Sequence, residues 1–161
     1  MREKFPLHIM IKPEGLEYFP DYIHDSIQLF ERETESEEIF RMITTLTPKQ
    51  VDLVYPDDNI PEELKKWLSS KNTEHYIIQG VEKIYEMAKT MKGKSDSTLG
   101  IRGSLVKLSS EMNLRFEKWQ NFIHTSDSLE QTQHICSNLL NPGSGCLFCS
   151  IRERCLQEST K

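Results

Sequence analysis

No stretch of this chain approaches the ~18 to 20 consecutive apolar residues that a membrane-spanning helix requires, so no membrane partner is expected. The N-terminus, Met1-Arg2-Glu3-Lys4 followed by Phe5-Pro6-Leu7-His8, lacks the apolar core of a secretory leader, which implies a reducing, cytoplasmic compartment. Positive charge is not in excess. Twenty Lys and Arg stand against 25 Asp and Glu, and the net charge of -5 removes any general attraction to nucleic acid. There is no Ser-His-Asp arrangement, no phosphate-binding P-loop and no dinucleotide glycine motif, so nothing reads as an enzyme active site. Internal repeats and low-complexity segments are absent as well.

What is present is an ordinary globular composition, 37% hydrophobic and 28% charged over 161 residues, a length suited to one domain. The charge is uneven: residues 1–60 hold 13 acids and 6 bases, and residues 61–161 hold 12 acids and 14 bases. Within the second half, Lys83, Lys89, Lys92, Lys94, Arg102, Lys107, Arg115 and Lys118 make the 83–118 region basic. Such a patch suits phosphates, or the acidic N-terminal half of the same fold.

Apolar periodicity is helical almost throughout. Residues 5–11 read as a short extended segment closed by Lys12-Pro13-Glu14-Gly15. Helices follow from Asp21 (Ile23, Ile27, Phe30), from Ser36 (Ile39, Phe40, Ile43, Leu46), from Thr47-Pro48 and from Pro61. The strongest stripes are Ile77, Val81, Ile84, Ala88 and Met91, then Leu105, Leu108, Met112, Phe116, Trp119 and Ile123. These predict helices over 73–91 and 98–123 at the centre of the core, with Val81, Ile84, Leu108, Met112 and Trp119 buried. Gly100 and Gly103 fall in the first turns of the second, where they permit close packing. The fold class is all-α: a compact helical bundle over 1–125, followed at 126–161 by a C-terminal helix and a cysteine-rich metal-binding loop.

That loop holds the chain's chemistry. All four cysteines, Cys136, Cys146, Cys149 and Cys155, lie in the last 26 residues, spaced C-x9-C-x2-C-x5-C. Without a secretory leader, such clustering favours metal over disulfides. Cys146 and Cys149 bring two thiolates round one turn, and Pro142-Gly143-Ser144-Gly145 breaks the preceding helix so that backbone can wrap a cluster. One C-x2-C with uneven flanking gaps suits the thiolate shell of a [4Fe–4S] cluster better than the paired knuckles of zinc, which is the alternative cofactor. His134 is a substitute ligand in principle, although a surface or capping role suits it better.

The Cys136–Cys155 segment resembles the C-terminal iron–sulfur loops of endonuclease III-type and adenine glycosylases, which end in C-x2-C-x5-C with an early proline, here Pro142. The same string is similar to those of WhiB-like transcription factors and iron–sulfur RecB-type nucleases. The resemblance covers roughly 20 residues and implies a cluster-ligand role for the four cysteines alone. Glycosylase loops place six residues between the first two cysteines where this chain has nine, and no catalytic Lys or Asp can be carried over. The acidic pattern of the nucleases is matched only by Asp58 with Glu63 and Lys65, on an expected helix.

His8, His24, His75 and His124 look isolated and receive no function. Trp67, Trp119, Phe116 and Phe122 read as core. The expected function is that of an iron–sulfur protein acting through a protein partner, as a redox or regulatory module. The alternative is a subunit of a nucleic-acid-processing enzyme, touching phosphates through Arg152, Arg154 and the basic region.

Overall fold

The first strand follows directly from its residues. Phe5–Ile11 (β1) is apolar and partly β-branched, and it ends at Lys12-Pro13, where proline presets the backbone for the first turn of Pro13–Tyr18 (α1). Pro20 opens Pro20–Thr34 (α2) in the same way, and Ile23, Ile27 and Phe30 form its buried stripe. Glu37–Thr44 (β2) leads to Pro48–Val54 (α3), whose start is secured by a reciprocal capping box between Thr47 and Gln50. The chain continues through Glu62–Leu68 (α4), Thr73–Gly80 (β3), Ile84–Lys92 (α5), Gly100–Glu111 (α6), Ile123–Thr125 (β4) and Leu129–Ile135 (α7), which runs into a π-helical turn at Cys136–Leu140.

The computed structural model describes residues 3–56, 59–94 and 98–140. Its four strands form one antiparallel sheet in the order β2-β3-β1-β4. The fold is therefore mixed α/β, and the all-α expectation is corrected. Three misreadings account for it. The 73–91 helix is in fact β3 followed by α5: Ile77 belongs to the strand, whereas Ile84 and Ala88 belong to the helix. β3 is buried on both faces, so it lacks the apolar–polar alternation that marks a half-exposed strand. The 36–46 helix is β2, an edge strand with an irregular register between Glu38 and Phe40. The 98–123 helix stops at Glu111. Ile84 is buried as expected, but Met112 lies beyond the helix at 57% exposure, and Val81, Leu108 and Trp119 are half-buried.

The sheet has two unlike faces. Leu7, Ile9, Ile11, Tyr76, Ile78 and Ile123 pack against α2, α5 and α6 in one apolar cluster. Met10 and Ile77 face the other way, toward α3, α4, α7 and the π-helical turn, with Val51, Leu68 and Ile135. Gly93 and Gly100, both at positive φ, meet backbone to backbone: a Cβ on Gly93 would lie 2.1 Å from the Leu99 carbonyl oxygen. Gly100 thus serves a chain crossing between α5 and α6, where no side chain fits. Among the described residues no helix is long and apolar enough to cross a membrane.

Candidate active site

Strand alternation puts His8, Met10 and Lys12 on the second face of β1, and antiparallel register brings partners beside them. Met10 is opposite His75 on β3 and opposite His124 on β4, and His8 is opposite Ile77. Three histidines separated by more than a hundred residues of chain thus share one patch of sheet.

His124 is the most distinctive of them. It is 9% exposed, and its Nε2 is enclosed with no hydrogen-bond partner among the described residues. Tyr55, following α3, lies against the ring with centroids 4.6 Å apart. Burial holds the imidazole well below its ordinary pKa, and the neighbouring charges of Lys92, Arg102 and Lys12, with His75, push it the same way. Burial and the nearby cations both favour the neutral ring.

Each cation is placed by a different element. Lys12 is fully buried at the end of β1, where its Nζ donates to the Trp119 carbonyl and, at 2.9 Å, to Asn121 Oδ1. Burial pulls its pKa down to about 8, only partly opposed by Glu14. Arg102, in the first turn of α6, donates to the Ile123 carbonyl through Nη2 at 2.7 Å and Nε at 3.2 Å, which fixes it beside the His124 main chain. Lys92, at the end of α5, is also lowered to about 8, by burial and then by Arg102. Crowded cations with depressed pKa values repel one another, and an anion bound among them relieves that cost. A cleft of about 760 Å³ lined by Lys89, Lys92, Lys94 and Arg102 with Thr90 and Leu99 opens beside two of these cations, Lys92 and Arg102.

The loop before His124 is held by Glu14, a fully buried carboxylate in α1. It accepts from the Phe122 N–H at 3.0 Å and the Trp67 indole at 2.7 Å, while the Lys12 N–H donates to the Phe122 carbonyl at 2.9 Å. Phe122 itself takes φ 73°, a conformation that a bulky residue adopts only when its surroundings enforce it. This clamp sets the approach of Asn121 and His124 to Lys12.

No protein-family model and no curated protein sequence matches this chain. Solved structures do. A nucleoside diphosphate kinase from Aquifex aeolicus is 20% identical, covers 87% of this chain and 96% of its own, and superposes with a TM-score of 0.64. A nucleoside diphosphate kinase family protein from Babesia bovis is 19% identical, over 88% and 90% of the two chains, with a TM-score of 0.64. A Borrelia burgdorferi nucleoside-diphosphate kinase, a transition-state mimic with bound vanadate and ADP, is 20% identical over 81% and 83%, with a TM-score of 0.58.

The fold is similar to that of nucleoside diphosphate kinases. That finding overturns the iron–sulfur reading, the likeness to glycosylase, WhiB-like and RecB-type loops, and the two functions built on it, regulatory module and nucleic-acid-processing subunit. Cys136 is fully buried in the apolar cluster with Met10, Val51 and Ile135. Cys146, Cys149, Cys155, Arg152 and Arg154 lie outside the described residues. Among the described residues no group of three or more His, Cys, Asp or Glu side chains is placed to hold a metal, and the [4Fe–4S] and zinc assignments are withdrawn. His134 Nδ1 lies 3.3 Å from the Asn138 amide nitrogen, one turn along.

The basic 83–118 region divides in this nucleoside diphosphate kinase-like fold. Lys89, Lys92, Lys94 and Arg102 line the cleft, whereas Arg115 and Lys118 border a separate hollow beyond α6. Sequence reasoning missed His124, His75, His8, Lys12 and Tyr55. The one available signal was Lys12 ending an apolar run just before a proline, where a lysine is drawn into the protein with its strand.

Proposed function

We propose that this chain transfers a phosphoryl group between nucleoside triphosphates and diphosphates, with His124 as the group that carries it. The observation behind this reading is the neutral His124 ring with Tyr55 on its face and Lys12, Lys92 and Arg102 around it. The nucleotide comes from the names of the kinases with a similar fold.

The enclosed Nε2 cannot reach a ligand, so the chemistry falls to Nδ1. The Nδ1 lone pair attacks the terminal phosphorus. A P–N bond forms, the P–O bond to the leaving diphosphate breaks, and that bond's electrons stay on the diphosphate oxygen. The ring keeps its Nε2 proton throughout. Phosphoryl transfer needs mainly alignment and compensation of charge on the equatorial oxygens, and fixed cations beside a nucleophile supply both. In the return step the oxygen of an incoming diphosphate attacks, the P–N bond breaks and the imidazole is restored.

Incubation with a nucleoside triphosphate labelled in its terminal phosphate should give an acid-labile, alkali-stable phosphoprotein, discharged by added diphosphate. His124→Gln should lower labelling about a thousandfold or more. Undiminished labelling of that variant overturns the assignment.

A further inference from the structure

Among the described residues, two enclosed nitrogens on the active-site face lack a partner: His124 Nε2 and His8 Nδ1. The hydrogen bonds behind His8 determine what its nitrogen offers. The Thr73 hydroxyl donates to the Thr44 carbonyl at 3.1 Å, which uses its only proton. With its proton there, its oxygen accepts, at 2.7 Å, from His75 in the Nε2–H tautomer. His75 is held neutral, its pKa pushed down to about 4 by burial, so its Nδ1 carries a lone pair. That lone pair accepts from His8 Nε2–H at 2.9 Å, and the two rings stack with centroids 5.2 Å apart. His8 is fully buried and also neutral, so its Nδ1 is an acceptor.

The proposed reaction requires the complementary state of His124, with a lone pair on Nδ1 and a proton on Nε2. His8 lies diagonally across the β1–β4 pair from His124, because Met10 faces His124 and His8 is two residues along the same face. Diagonal neighbours are about 7–8 Å apart at the backbone, within reach of aromatic side chains. We propose that His8 is a positioning residue for His124: one enclosed water accepts from His124 Nε2–H and donates to His8 Nδ1, at the near end of a one-directional chain through His75 and Thr73 to the Thr44 carbonyl. A water between a buried donor and a buried acceptor satisfies both at little cost. The chain locks the tautomer that leaves Nδ1 nucleophilic, as a fixed partner does for other catalytic imidazoles.

This inference rests on the phosphoryl-transfer reading, yet its first readout needs no nucleotide. Nitrogen-15 spectra of the ring, assigned by loss of the signal in His124→Gln, should show the Nε2–H tautomer in the unmodified protein. His8→Phe keeps a ring but has no acceptor. It should lose that preference and label at least about tenfold more slowly. His8→Asn, whose Oδ1 falls near the position of Nδ1, should recover both. If His8→Phe does not fold, Thr73→Val releases the far end of the chain and should shift the tautomer in the same sense. An unchanged His124 tautomer in whichever of the two variants folds overturns the proposal. A tautomer shift in a protein that never becomes labelled instead overturns the phosphoryl-transfer reading and leaves the chain of histidines standing.

Discussion

Each face of the sheet buries polar groups, and the two differ in what those groups are joined to. On the apolar face the buried carboxylate is Glu74. It receives His24 at 2.6 Å, the Tyr76 hydroxyl at 2.7 Å and the Arg41 guanidinium at 3.2 Å, and Arg41 lies over the Tyr76 ring. On the opposite face His8 and His124 each keep an enclosed nitrogen without a partner among the described residues, as the Thr125 hydroxyl does on the apolar face. A satisfied buried group binds strands and helices together. One left without any partner, protein or water, costs stability, on the order of 1–3 kcal/mol.

The largest effect should come from the scaffold. Ile9 is fully buried in the apolar cluster, and Ile9→Ala should cost about 2–5 kcal/mol in urea unfolding while phosphoryl labelling of the folded fraction persists. Loss of labelling with little loss of stability would erase the distinction between the faces.

The next effect is acid sensitivity, in two windows. His75 titrates near 4 when folded and near 6.5 when unfolded, so below about 6.5 the unfolded chain binds more protons. Its stabilising effect is present above about pH 6.5 and is lost as pH falls toward 4. The loss is on the order of 3 kcal/mol, to which His8 and His124 add in the same direction. Glu74 behaves otherwise. Burial alone would raise its carboxyl, but the hydrogen bonds from Tyr76 and His24 and the charge of Arg41 outweigh burial and hold it below the usual range. Its contribution stays until pH drops below the ordinary carboxylate value. Unfolding curves from pH 7 to 3 should show the first loss, and His75→Asn should shrink the upper window's loss to the share of His8 and His124.

The smallest effect is at Met112. The periodicity of α6 extended past Glu111 would place it in the core, where truncation costs several kcal/mol. At 57% exposure, Met112→Ala should change stability by less than about 0.5 kcal/mol. A larger loss would return the helix to residues 112–123.

Local elements were legible wherever a local interaction makes them. The extended segment at 5–11 is β1, the stripe of Ile23, Ile27 and Phe30 is α2, and Thr47-Pro48 starts a capped helix. β2 and β3 were not, because buried or irregular strands carry apolar residues at spacings that a helix also satisfies. The cysteine spacing drew attention because it is visible within twenty residues. The site had no such signature. Its histidines and lysines look like solvated or isolated residues until the sheet assembles them.

The sequence by itself determined the proline-started helices, the capping box, the apolar stripes and the absence of a long apolar helix. These rest on contacts within a few residues, or on composition. Only the tertiary structure decided that Lys12, Tyr55, Lys92, Arg102 and His124 meet. His8 N–H bonds to Ser126 Oγ at 3.0 Å, across 118 residues of chain. A ladder between strands is made by backbone groups that every residue except proline carries in the same form, so the register that brings these side chains together comes from the packing of the whole sheet.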